Sequence, residues 1–181
     1  MGRLGLVAIF LGLVACAGDD GDGGSGGDGD GSGGEACGGS VEGASSGGFS
    51  GCVSAINEYP AGSEGEPAAY WIYSLVAAPE VEAELDAPLE SLGINLFLPG
   101  APNAGSYQLA DALPDTMAFV YAPYPTAYEE PASLTLTVDS MEMATEMEQG
   151  GYPLISYTLH GALEMTLMSE AGDSVSVSAS F

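Results

Sequence analysis

The sequence predicts an all-β protein, an antiparallel β-sandwich or small barrel of about seven to nine strands. Three observations carry that prediction. Toward the C-terminus, Val175, Val177, Ala179 and Phe181 alternate with Ser174, Ser176, Ser178 and Ser180, the period of a strand with one buried and one wet face. Proline and glycine punctuate the chain, as at Pro60, Gly62, Gly65 and Pro67 and again at Pro99-Gly100-Ala101-Pro102. No long stretch repeats its apolar residues at helical spacing.

The N-terminal segment reads as a leader. After Met1-Gly2-Arg3 come fourteen uncharged, mostly apolar residues, LGLVAIFLGLVACA, fewer than the roughly 20 needed to span a bilayer. One positive charge, a short apolar core and then small residues make a signal peptide over residues 1–15. Leu13-Val14-Ala15-Cys16 resembles the lipobox of bacterial lipoproteins. The resemblance implies cleavage before Cys16, a diacylglycerol on its sulfur and an acyl chain such as palmitate on the new amine. It also implies attachment to the cell envelope. Because Ala17 rather than aspartate follows the cysteine, it implies the outer membrane. Two or more acyl chains hold a protein firmly, each buried CH₂ contributing about 0.8 kcal/mol.

Residues 16–35 read as the lipidated cysteine and a tether. GDDGDGGSGGDGDGSGG (18–34) holds only Gly, Asp and Ser and has nothing to bury against the entropy of folding. About 20 such residues reach roughly 25 Å. Asp28 to Gly33 begins like a calcium loop, but Gly39 stands where that loop needs a bidentate glutamate.

The folded domain is expected over 36–181, about 145 residues and enough for a real core. Cys37 and Cys52 predict a disulfide, since exported proteins meet an oxidising environment; closing a loop of about 15 residues stabilises by roughly 3 kcal/mol. Strands are expected at Phe49–Ile56, Ala69–Val76, Ile94–Leu98 and Ser106–Leu109. Pro79 to Leu92 fits a helix through Val81, Leu85 and Leu89, but Pro88 interrupts it, and alternation of Glu80, Glu82, Glu84 and Asp86 with apolar residues favours a strand. Leu134, Leu136 and Val138 alternate with Ser and Thr, then the apolar phase slips to Met141, Met143 and Met147. A bulge near Asp139-Ser140 is therefore predicted. Gln149-Gly150-Gly151 predicts a hairpin turn into a strand from Tyr157 to Leu167. Gly105-Ser106-Tyr107, Leu159 to Leu163 and Val175 to Phe181 resemble features of all-β domains in uncharacterised bacterial lipoproteins. That resemblance implies a fold and no activity.

Charge bounds the function. Twenty-six acidic residues face a single basic one, Arg3, for a net charge of −25. Cleavage of the leader removes that arginine. Nucleic acid is then excluded as a partner, because its binding rests on Lys and Arg, and anionic lipid surfaces are excluded likewise. Arginine clamps, a phosphate-loop lysine and Schiff-base chemistry lack their residues. His160, the sole histidine, is expected on the wet face of its strand with Thr158 and Glu164. No GxSxG elbow accompanies it, and one histidine does not make a zinc site. No catalytic residue, metal site or cofactor is assigned.

Three features suggest contacts. Glu80, Glu82, Glu84 and Asp86 would share a face if extended, and Glu142, Glu146 and Glu148 form a similar set. Such rows protect strand edges as solvated faces, and weak Ca²⁺ binding or a basic protein partner is the alternative. FVYAPYPTAY (119–128) carries Tyr121, Tyr124 and Tyr128, which on a loop would stack on sugar or peptide. Trp71 is expected in the core. The reading is a non-enzymatic, membrane-anchored acidic protein of the envelope that contacts an envelope or extracellular protein or glycan. A ligand-binding module built on the tyrosine loop is the alternative.

Overall fold

The structure is a computed structural model, and it describes residues 37–61, 68–122, 126–149 and 152–181. The described residues form twelve strands: β1 (Gly38–Gly43), β2 (Gly47–Ser50), β3 (Val53–Tyr59), β4 (Tyr70–Ala77), β5 (Glu84–Leu85), β6 (Ser91–Pro99), β7 (Gly105–Gln108), β8 (Met117–Tyr121), β9 (Ala127–Tyr128), β10 (Glu130–Gln149), β11 (Tyr152–Met168) and β12 (Ser174–Ser180). Among the described residues there is no α-helix, only single 3₁₀ turns at Pro79–Val81 and Leu109–Asp111. The all-β prediction holds.

The sheet runs β5-β2-β1-β12-β11-β3-β4-β6-β8-β9, with β10 on the other edge of β11 and β7 on β10. Strand β11 organises it. One edge of β11 pairs with β10 from end to end. Its other edge serves two strands in turn: β3 through Ile155–Tyr157 and β12 through Ala162–Met168. At the fork, Gly161 exchanges two backbone hydrogen bonds with Phe181, at 2.7 and 3.1 Å. The sheet thus opens into two leaves that fold over one core. Strand β4 supplies Trp71, Tyr73, Leu75 and Ala77, and the opposite leaf supplies Val41, Leu163, Val175 and Val177, all essentially unexposed. Contacts such as Tyr73 against Phe181 (centroids 5.4 Å apart) and Trp71 edge-on to Tyr107 (4.9 Å) tie the layers.

Several boundaries differ from expectation, each for a local reason. The strand expected at 49–56 breaks into β2 and β3, because Gly51 turns the chain at φ 70°. That turn lets Cys52 reach Cys37, and the disulfide forms with Cα atoms 5.1 Å apart. The acidic strand expected after Pro79 is corrected. Val81 and Glu82 donate back to Ala78 and Pro79 as a 3₁₀ turn, Glu82 is left-handed at φ 59°, and only Glu84–Leu85 pair. Glu80, Glu82, Glu84 and Asp86 therefore do not line one face.

The slip near Asp139 is present as a register shift between Val138 and Ser140, and a second follows between Met143 and Thr145. The predicted burial of Met143 fails: 63% of it is exposed. The second slip also separates the other acidic set. Glu142 stands opposite Thr158 and Glu146 opposite Ile155, residues on opposite faces of β11. The side chains of Met147 and Glu148 lie outside the described residues.

Candidate functional site

Cys16 and Tyr124 lie outside the described residues. The structure pulls Tyr121 and Tyr128 apart. What was expected as a loop begins as strand β8, because Ala118 and Val120 alternate inward. Val120 pairs with Tyr128 and Tyr121 with Ala127, so the two tyrosines point to opposite faces. Tyr128 is 1% exposed and its hydroxyl lies 3.3 Å from Ser45 Oγ. It is a core residue and presents no ring to a ligand.

Tyr121 points outward, stacked on Phe119 with centroids 4.8 Å apart. Its hydroxyl donates to Glu129 Oε1 at 2.8 Å, which fixes the ring. Burial pushes its phenol pKa up, and the Glu129 carboxylate pushes the same way. Beside Glu129 opens a cleft of about 620 Å³, bordered by Glu130, Met168, Glu170 and Asp173. Among the described residues no three His, Cys, Asp or Glu side chains are grouped so that they could hold a metal ion. His160 is exposed on its strand, opposite Ser140.

Tyr121 belongs to a larger surface that the sequence reading missed. Directly paired residues share a face, so register gives the outer face of β3, β4, β6 and β8 row by row. One row is Val53, Val76, Gly93 and Phe119; the next is Ala55, Ser74, Asn95 and Met117. Ser91 and Tyr121 lie at one end, and Asn57, Ile72 and Phe97 toward the other. Among the described residues, none that these four strands place on it is Asp or Glu; the Glu129 carboxylate borders it at Tyr121. Its polar groups are neutral and paired: Ser74 donates to Asn95 at 2.7 Å, and Ser156 to Asn57 at 2.6 Å. Tyr59, Tyr70 and Phe97 form a run of near-parallel rings across it. Val53 and Tyr121, at opposite edges, are 46% and 36% exposed. A signal for this face was available: β4, β6 and β8 contain no Asp or Glu, although the chain has 26.

No family model, curated protein or solved structure matches this chain.

Proposed function

We propose that the protein is a lipid-anchored, non-enzymatic component of the bacterial cell envelope, held by Cys16 and presenting a compact acidic β-domain for interaction. The observation that carries this reading is Leu13-Val14-Ala15-Cys16, at the end of a short apolar leader and ahead of a Gly/Asp/Ser tract. The Cys37–Cys52 disulfide supports it, because such bonds persist outside the reducing cytosol. So does the charge. A chain whose single Lys or Arg is Arg3 cannot neutralise its 26 carboxylates, so its attraction is toward cationic or neutral partners. The test is labelled palmitate supplied to cells making the full chain. Label is expected in the wild type and absent from Cys16→Ser. Equal label in both, or none in either, contradicts the reading.

A further inference from the structure

We infer that the outer face of β3, β4, β6 and β8, whose rows hold no Asp or Glu, is the surface that rests against the lipid bilayer; this rests on the anchoring reading above. Three observations point to it.

The first is charge. A protein of net charge −25 approaching a membrane is repelled through its carboxylates, and the repulsion falls away only over about 8 Å at physiological salt. The rows from Val53 to Phe119 and from Ala55 to Met117 hold no Asp or Glu, and the Glu129 carboxylate at the Tyr121 edge is capped by the tyrosine hydroxyl.

The second is chemistry. The face mixes aliphatic and aromatic side chains with hydroxyl and amide groups. Tyrosine, apolar in its ring and polar at its tip, suits the level of the lipid headgroups. Tyr121 and Val53, the two large apolar side chains most exposed there, stand three strands apart, about 14 Å at the usual strand spacing.

The third is where the leash attaches. The chain leading from Cys16 enters the described domain at Cys37, and the disulfide fastens Cys37 to Cys52 with Cα atoms 5.1 Å apart. Cys52 directly precedes Val53. The described domain thus begins beside one edge of this face. A lipid anchor on the same chain makes docking intramolecular, with an effective concentration in the millimolar range, so a weak contact suffices. In this orientation the acidic cleft by Glu129 stays at the rim, and Met143, which shares the face of Tyr157 and Ile56 on the other side of the sheet, is off the contact.

The test is hydroxyl-radical footprinting of the full lipidated protein on zwitterionic phosphatidylcholine vesicles, read by mass spectrometry at Tyr121, with Met143 as the internal reference. Val53→Asp and, separately, Ser91→Asp place a charge on the face at positions that are not in the core. Oxidation of Tyr121 relative to Met143 is expected to rise about fivefold in each variant, as for a face covered in roughly 80% of molecules and then released. Circular dichroism should be unchanged and the lipid still on Cys16. Equal Tyr121 rates in the wild type and both variants, with lipid present, overturn the docking and leave the anchor standing. Absence of lipid from Cys16 overturns both. Protection that disappears as the protein is diluted among vesicles assigns the face to a second copy of the chain and overturns the membrane assignment.

Discussion

Two tyrosines show how one residue type takes different roles. Tyr157 donates its hydroxyl to Glu58 at 2.6 Å. That bond first, and burial second, hold its phenol protonated up to about pH 12. The folded pKa is raised above the unfolded value near 10, so the contribution to stability is complete below about pH 10. It is lost as pH rises from there toward 12. Thermal melts of the wild type should therefore fall across that window, and Tyr157→Phe should start lower and fall less steeply. Parallel curves for the two proteins would contradict the role given to this bond. Tyr73, by contrast, is wholly buried beside Ser54, and neither hydroxyl makes a well-formed hydrogen bond. Burial raises its phenol far beyond the usual range, with Ser54 pulling slightly the other way. The sequence marks both as apolar-phase strand residues and cannot distinguish them, because Glu58 and Tyr157 meet only through the pairing of β3 with β11, 99 residues apart.

At the scale of elements, alternation made the long strands legible and local turn chemistry hid the short ones. Strands β4, β6, β11 and β12 follow the period-two pattern closely, and the slip near Asp139 was visible as a change of phase. Strand β1 was missed because its residues, GGSVEG, include one apolar side chain large enough to mark a face. Strand β8 was taken for part of a tyrosine loop because Pro123 and Pro125 follow it closely. Burial of Met143 was wrong although its phase was right: it stands opposite Tyr157, on the face of Met141 and Leu159, but past the point where the core ends. The fork of β11 makes its own prediction. A Cβ on Gly161 would run into the carbonyl oxygen of Thr137 on β10 and come within 3.1 Å of the Phe181 ring. Gly161→Ala should then destabilise by about 1–3 kcal/mol, the range for overpacking a tight site, read as a lower denaturant midpoint at unchanged slope. A midpoint equal to the wild type would show that the fork tolerates a methyl group.

For the whole molecule, composition separates what the chain can do from what it lacks. With no Lys or Arg after Arg3, cohesion of the domain falls to apolar burial, backbone pairing and the disulfide, and ion pairs to Lys or Arg play no part among the described residues. Strands β4, β6 and β8 hold no Asp or Glu, whereas β1, β3, β5, β10 and β11 each hold at least one. This segregation was legible strand by strand, but its consequence, one continuous neutral face, appears only when register places the strands side by side. The candidate tyrosine site fared the other way: three tyrosines close in sequence suggested a cluster, and a single residue of phase sends Tyr121 outward and Tyr128 into the core. The anchor rests on the sequence of residues 13–16, and on it depends the view of the protein as an envelope component. The most direct measurement is the intact mass of the protein purified from its native membrane. The account predicts a chain beginning at Cys16, heavier than its amino acids by a diacylglyceryl group and an amide-linked acyl chain. A mass that retains residues 1–15, or a Cys16 start with no added lipid, would contradict it.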